Sequence, residues 1–149
     1  VLAKHYPVIP PRHMAWIGSR LFEYNLLCSH FGYVHCGLNP ESVFIIPENH
    51  GLYITSFYHM KRVGEKLTTI SAKYKNWYPG SMFVDKTATP AIDIELSKRI
   101  LKSIYVDPDP LYLKFLNQVH TDPQATYDEY RELLVTLHGS PTWYPMEIK

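Results

Sequence analysis

Apolar residues recur every three or four positions between Met14 and Phe31, and this spacing predicts the first helix of the chain. The apolar or compatible positions are Met14, Ile17, Leu21, Tyr24, Cys28 and Phe31. On a helix they would form one buried stripe. Gly32 follows at once and is typical of a residue that ends a helix. We therefore expect a helix over 14–31 that packs against a core through one face.

Two short apolar runs follow and predict a β-hairpin. Residues 42–46 and 52–56 have the length and the β-branched and aromatic content of strands. The residues between them, Pro-Glu-Asn-His-Gly over 47–51, have the composition of a turn. The pattern therefore indicates two antiparallel strands with a tight connection.

Helix start signals mark three further segments. Thr89-Pro90 opens a helix in which four isoleucine and leucine residues, at positions 92, 96, 100 and 104, share one face. Asp109-Pro110 starts a short helix over 111–120, and Asp122-Pro123 starts a last one that ends at Gly139. Together these elements predict a mainly α fold with a small β-hairpin.

The length of the chain fits a single domain. At 149 residues it can bury a sizeable core. Three prolines within the first eleven residues indicate an extended N-terminal arm over 1–13. We expect the domain itself to cover 14–138 and a C-terminal tail to cover 139–149.

Composition and charge exclude several classes of function. The net charge is +1, which gives no electrostatic case for binding nucleic acid or an anionic membrane surface. No apolar stretch reaches about 18 residues, so we expect no membrane span.

The first residues lack the pattern of a signal peptide. We expect a protein that is not secreted by its own signal and that lies inside the cell or within a larger particle. Because residue 1 is not methionine, we also expect a processed or partial product.

The pattern of cysteine and histidine residues gives no case for a metal. Neither the two cysteines, Cys28 and Cys36, nor the eight histidines show Cys-x-x-Cys or His-Glu-x-x-His spacing. His35 and Cys36 are adjacent and would point to opposite sides of an extended chain, which suits neither a metal nor a nucleophile pair. We therefore expect no metal and no cofactor.

The stretch over 33–44, Tyr-Val-His-Cys-Gly-Leu-Asn-Pro-Glu-Ser-Val-Phe, resembles the catalytic loop of protein kinases. That loop reads H-R-D-L-K-P-E-N and is followed by an apolar strand. His35, Leu38, Pro40 and Glu41 fall in register with it. The resemblance continues through the predicted hairpin and the later helices, from about residue 14 to residue 137.

The positions that carry the chemistry differ from the kinase pattern. The resemblance places the catalytic aspartate at Gly37, the lysine at Asn39 and the metal-binding asparagine at Ser42. After the hairpin, Ser-Phe-Tyr over 56–58 stands where kinases have D-F-G, so Ser56 replaces the magnesium-binding aspartate. Serine hydroxyls are poor replacements for a carboxylate on a hard dication.

Three positions keep residues to which the resemblance assigns structural roles. His35 and Phe57 would pack together, as the catalytic-loop histidine and the D-F-G phenylalanine do in the family, and we expect both to lie in the core. Asp93 matches the aspartate that accepts backbone hydrogen bonds from the catalytic loop. Farther along, Trp-Tyr-Pro-Gly-Ser over 77–81 resembles the end of an activation segment.

The resemblance thus implies a protein kinase-like C-terminal lobe whose reactive positions are replaced, that is, a pseudokinase. Its loop is similar to that of divergent kinase-like proteins of bacteria and tailed phages. We expect that the chain is not an enzyme and that it is a protein–protein interaction or scaffold component of a larger assembly. Its partner would be another protein subunit or an N-terminal lobe, because a lone C-terminal lobe exposes the apolar surface that receives that lobe.

Two alternatives stay open at this point. The chain could be the C-lobe fragment of a divergent serine/threonine protein kinase, with catalysis supplied by unusual residues or by another chain. It could also be an unrelated helical structural protein whose loop only mimics the kinase motif.

Overall fold

The computed structural model of the chain describes residues 9–105 and 107–139. Its helices in these ranges are α1 (Pro11–His30), α2 (Met82–Asp85), α3 (Pro90–Ile104), α4 (Pro110–Asn117) and α5 (Pro123–His138). Its strands are β1 (Tyr33–Val34), β2 (Val43–Ile46), β3 (Gly51–Ile54) and β4 (Lys61–Arg62). The mainly helical fold with a small hairpin that the sequence predicts is confirmed.

Helix α1 begins at Pro11, three residues before the predicted start. The extended Pro10 is followed by a proline at the first helical position, where its missing N–H is not needed. The predicted arm over 1–13 is therefore wrong at its end. Ile9 is already buried, and its amide donates to the Ile104 carbonyl at 3.4 Å. Residues 1–8 of the arm and 140–149 of the tail lie outside the described residues.

Two antiparallel strand pairs follow α1 in the chain. Strands β2 and β3 form the predicted hairpin, with Val43 opposite Ile54 and Ile46 opposite Gly51. Strands β1 and β4 form a second pair that the sequence did not predict, with Val34 opposite Lys61. A two-residue strand is too short to show an alternating pattern, so its pairing depends on the tertiary fold.

Helices α1 and α5 approach closely at Gly18. A Cβ atom at this position would lie 2.1 Å from the Tyr130 hydroxyl oxygen. That hydroxyl donates toward the carbonyls of Met14 and Ala15, at 3.1 and 3.2 Å, and lies 2.7 Å from the Tyr112 hydroxyl. Because its single proton is directed to the carbonyls, it accepts from Tyr112. The absence of a side chain at Gly18 thus makes room for a buried hydrogen-bonded tyrosine pair.

Helix α3 packs against α1 and α5 and carries the predicted apolar stripe at positions 92, 96, 100 and 104, which is fully buried. The next two helices start as the sequence predicts. The Asp109 carboxylate accepts from the Leu111 amide at 2.9 Å, and the Asp122 carboxylate accepts from the Ala125 amide at 2.8 Å. Both are N-caps that satisfy amides with no partner inside the helix. Helix α4 ends at Asn117, three residues earlier than predicted.

The segment between β4 and α3 is irregular over most of its length, as its polar sequence indicates. It contains one isolated bridge, between Lys66 and Thr87, and the single-turn helix α2. On the surface, Lys73 pairs with Glu41 at 2.5 Å. None of the helices in the described ranges is long and apolar enough to cross a membrane.

Candidate functional site

The loop over residues 35–42, hereafter the His35 loop, is tied to helix α3 by one buried carboxylate. Asp93 lies in the first turn of α3 and is only 2% exposed. Its two oxygens accept from the His35 amide at 2.7 Å and from the Cys36 amide at 2.9 Å. Cys36 has a positive φ of 66°, which is uncommon for a residue other than glycine. The carboxylate thus stabilises a turn that the backbone alone would disfavour.

The ionisation of Asp93 is set by opposing effects. Burial raises the pKa of its carboxyl to about 6, while the amides of His35 and Cys36 act in the opposite direction. At neutral pH the group is therefore ionised, and both of its oxygens are available as acceptors.

The His35 side chain links the His35 loop to the end of β3. Its Nδ1 atom accepts from the Gly37 amide at 3.2 Å, and its Nε2 atom lies 2.9 Å from the Thr55 carbonyl. Since Nδ1 accepts, the proton is on Nε2, which donates to Thr55. Burial lowers the pKa of His35, so the ring is neutral. Both ring nitrogens are engaged, and the ring is therefore a structural element.

The structure brings the three predicted anchors together, but one of them is not in the core. The ring of Phe57 lies 5.4 Å from that of His35, centroid to centroid. Phe57 is nevertheless 52% exposed, so the expectation that it is buried is wrong. It covers the histidine from the outside, in a single 3₁₀ turn that follows β3.

Asn39 and Ser42 are engaged in bonds within the His35 loop. The Asn39 side chain accepts from the amides of Glu41 and Ser42, at 2.8 and 3.2 Å, and donates to the Gly37 carbonyl at 3.1 Å. The Ser42 hydroxyl donates to the Asn39 backbone carbonyl at 3.0 Å and accepts from the Asn39 backbone amide at 3.1 Å. Ser42 is only 1% exposed. These side chains therefore hold the shape of the loop.

Ser56 differs from Ser42 in being exposed. It has a positive φ of 63°, and its hydroxyl lies 3.5 Å from that of Thr55. The magnesium ion that the resemblance to kinases implies does not fit these residues. The Ser42 hydroxyl is buried and bonded to the Asn39 backbone, and Ser56 offers a single neutral hydroxyl where Mg²⁺ prefers carboxylate oxygens. Within the described residues, no group of three or more His, Cys, Asp or Glu could hold a metal.

The two cysteines are thiols in a buried setting. Cys36 donates from Sγ to the Val34 carbonyl at 3.4 Å, and burial raises its pKa to about 12. Burial also raises the pKa of Cys28. Neither thiol is ionised at neutral pH, so neither is an activated nucleophile.

Tyr78 is a further member of the site, which the sequence indicated only as part of the stretch over 77–81 that resembles the end of an activation segment. Its hydroxyl donates to the Cys36 carbonyl at 2.5 Å and accepts from the Ser71 amide at 3.1 Å. Burial raises the pKa of Tyr78, and the hydroxyl remains a donor. It joins the irregular segment before α2 to the His35 loop. The Trp-Tyr-Pro motif marked this tyrosine in the sequence, but its partner is 42 residues away.

His59 is a second group that sequence analysis did not identify. A Cβ atom at Gly37 would lie 2.8 Å from His59 Cδ2, so the imidazole fills the space beside the loop at this position. Its Nδ1 atom lies 2.7 Å from the Thr69 hydroxyl. No motif in the sequence indicates this contact, because residues 37 and 59 meet only in the folded chain.

Comparison with known proteins gives one kind of match. No family model matches the sequence, and no curated protein matches it. Among solved structures, the chain is similar to vaccinia related kinase 3, with a TM-score of 0.66 at 12% sequence identity. The alignment covers 90% of this chain and 58% of the other, so this chain spans little more than half the length of that protein.

This neighbour corrects one expectation. We expected that the chain is not an enzyme, because the reactive kinase positions are replaced. That expectation is wrong as an inference from the loop, because the chain shares its fold with a protein kinase. The likeness to bacterial and phage proteins stays an expectation. The arrangement of the helices, the hairpin and the Asp93-anchored loop, together with this neighbour, shows that the chain has a protein kinase-like fold.

Proposed function

We propose that this chain is the C-terminal lobe of a divergent serine/threonine protein kinase-like enzyme and that it transfers phosphate together with an N-terminal lobe. The observation that carries the proposal is the buried Asp93 carboxylate, which fixes the amides of His35 and Cys36 at 2.7 and 2.9 Å. Phosphoryl transfer depends mainly on positioning, and a rigidly held loop supplies positioning. Because Ser42 and Ser56 do not fit magnesium, we assign no step to a metal on this lobe.

The need for a second lobe is supported by exposed aromatic residues around the hairpin. Tyr53 is 61% exposed, and Phe57 and Tyr58 follow in the next turn with exposures of 52% and 81%. Aromatic side chains that are exposed together are typical of protein interfaces. An N-terminal lobe or another protein subunit that covers them would also complete a cleft over the His35 loop.

A second candidate function is binding of a protein partner through these same three aromatic residues. The observation that favours it is chemical: Gly37, Ser42 and Ser56 occupy the positions where kinases have groups that accept a proton or bind magnesium. The contact role does not require any of those groups. It predicts that association, rather than nucleotide binding, depends on the exposed aromatic residues.

Phosphate transfer by the full-length native protein separates the two candidates. We expect ATP to raise its melting temperature and labelled γ-phosphate to appear on a serine/threonine peptide library. If Ser56 lines the nucleotide site, Ser56→Ala should reduce the thermal shift, and Ser103→Ala, an exposed control on α3, should not.

The absence of both transfer and a thermal shift would contradict the enzyme proposal. The contact role would then predict that Tyr58→Ser weakens association with the N-terminal lobe. Val119→Ser changes a residue that is 90% exposed in the link between α4 and α5, and it serves as the matched control.

A further inference from the structure

The space beside Gly37 is filled by another residue's imidazole. An added Cβ atom would lie 2.8 Å from His59 Cδ2 and 3.5 Å from its Cβ and Cγ atoms. Contacts below 3.0 Å require that something move, so a side chain at position 37 and the present position of His59 are incompatible. The ring thus occupies the place where a residue-37 side chain would begin.

A basic nitrogen of the ring lies one bond from the atom that fills this place. Cδ2, the atom nearest to the missing side chain, is covalently bonded to Nε2. The other nitrogen, Nδ1, lies 2.7 Å from the Thr69 hydroxyl, which fixes the ring plane. No described residue forms a hydrogen bond with Nε2, and this atom is not sealed from solvent. Nε2, one bond from the ring carbon that lies nearest to the loop, is therefore available to an external group.

The charge state of the ring suits a base. Burial lowers the pKa of His59, with a smaller opposing effect from Thr69, so the imidazole is neutral at pH 7. The Tyr58 ring lies 5.2 Å from the imidazole, centroid to centroid, and His35, whose own pKa is lowered, is neutral as well. When Nδ1–H donates to the Thr69 hydroxyl, the lone pair on Nε2 is free to accept a proton.

Room for a substrate lies next to this pair. Thr69 also lines a cavity of about 270 Å³ whose other walls are mainly apolar. Leu67, Ile70, Met82 and Phe83 form those walls, and Thr68, Lys75 and Lys86 complete the lining. A peptide segment with an apolar side chain in this cavity would bring a neighbouring hydroxyl toward the His59–Thr69 pair.

We propose that His59 is the catalytic base of this lobe and takes the place of the side chain that position 37 lacks. The inference rests on the proposed phosphotransferase function. His59 Nε2 accepts the proton of a serine or threonine hydroxyl as the hydroxyl oxygen bonds to the γ-phosphorus of a nucleoside triphosphate. The bond from that phosphorus to the β–γ bridging oxygen breaks, and a nucleoside diphosphate leaves. Thr69 acts as a positioning residue that holds the ring.

The test is the rate of phosphate transfer by the full-length protein and its His59→Gln variant between pH 5.5 and 8. Glutamine preserves much of the volume but cannot accept a proton. We expect the variant to lose about 100-fold or more in rate, in the range typical of general bases. The wild-type rate should fall as the pH drops through the pKa of His59, and the variant should lack this dependence. His30→Gln, a change on the exposed end of α1, is the matched control.

A double variant tests the replacement itself. Gly37→Asp alone should give no gain, because its side chain collides with His59. Gly37→Asp combined with His59→Ala opens the space for a carboxylate and should recover part of the activity that His59→Ala loses.

A chemical readout does not depend on activity. Diethyl pyrocarbonate acylates neutral imidazoles with an accessible nitrogen, so it should modify His59 and leave His35 unmodified. A protein in which His59 stays unmodified would overturn the inference. The inference would also be overturned if the wild type transfers phosphate and the rate of the His59→Gln variant is within about twofold of the wild-type rate. The proposed function would stand in that case. A wild type that transfers no phosphate would overturn both.

Discussion

Asp93→Ala is expected to lower the free energy of unfolding by about 3–5 kcal/mol. The substitution leaves the amides of His35 and Cys36 buried without an acceptor, and each such loss costs about 1–3 kcal/mol. It also leaves a cavity at the start of α3. Urea denaturation followed by circular dichroism would measure the change. Asp128→Ala, on the exposed face of α5, is the control and should stay within about 0.5 kcal/mol of wild type.

Asp93→Asn separates the acceptor from the charge. It retains one side-chain oxygen, so we expect a smaller loss than for alanine. Because burial raises the pKa of Asp93 to about 6 from the ordinary 3.8, its titration contributes stability that is present below pH 3.8 and is lost as the pH rises through 6. The asparagine variant lacks this contribution. The wild type should therefore gain stability relative to the Asp93→Asn variant as the pH falls from 7 to 5.

An Asp93→Ala variant as stable as the Asp128→Ala control would show that Asp93 does not hold the loop.

Gly18→Ala is expected to destabilise the protein by about 2 kcal/mol, although alanine is the better helix former by about 1 kcal/mol. The added Cβ atom would lie 2.1 Å from the Tyr130 hydroxyl oxygen and 2.5 Å from Cζ. Tyr130 is fully buried and cannot move without breaking its bonds to α1. Helices α1 and α5 must therefore separate. Thermal and urea unfolding of the variant would measure the loss.

A double-mutant cycle locates the origin of that loss. Tyr130→Phe removes the oxygen that Gly18→Ala would touch, so Gly18→Ala should cost less in the phenylalanine background than in wild type. Gly80→Ala is the matched control, because no atom lies within 4 Å of a Cβ added there. Equal losses from Gly18→Ala in both backgrounds would show that the contact between α1 and α5 is not as close as the structure indicates.

The helices were predictable because their signals are local. Each signal lies within one short stretch of the sequence: apolar residues at helical spacing in 14–31 and 92–104, and the Asp-Pro pairs before α4 and α5. The observed bounds of the helices differ from the predicted ones by up to three residues, at the proline that begins α1 and at the last turn of α4. The hairpin was predictable for the same reason, since its strands and turn are contiguous.

The site was predictable only where the kinase resemblance supplied partners in advance. It indicated that Asp93 would meet the backbone near His35, 58 residues away. It did not indicate the Tyr78–Cys36 bond or the His59–Gly37 contact, because neither pair belongs to a recognisable motif. The exposure of Phe57 also could not be read from the sequence, since it depends on what else covers the end of β3.

The expectation that the chain is not an enzyme failed for a related physical reason. It was drawn by reading Gly37, Ser42 and Ser56 one position at a time. A folded site needs a chemical group at a point in space, and that group can come from a distant residue. We propose that His59, whose ring lies beside Gly37, is such a residue.

The exchange of the His35 and Cys36 amides with solvent deuterium, followed by NMR, tests the central claim most directly. If the Asp93 carboxylate holds the loop in a kinase-like arrangement, both amides should exchange only through global unfolding, as slowly as the amides in the middle of α3. Exchange of either amide at the rate of an unstructured peptide would contradict that arrangement.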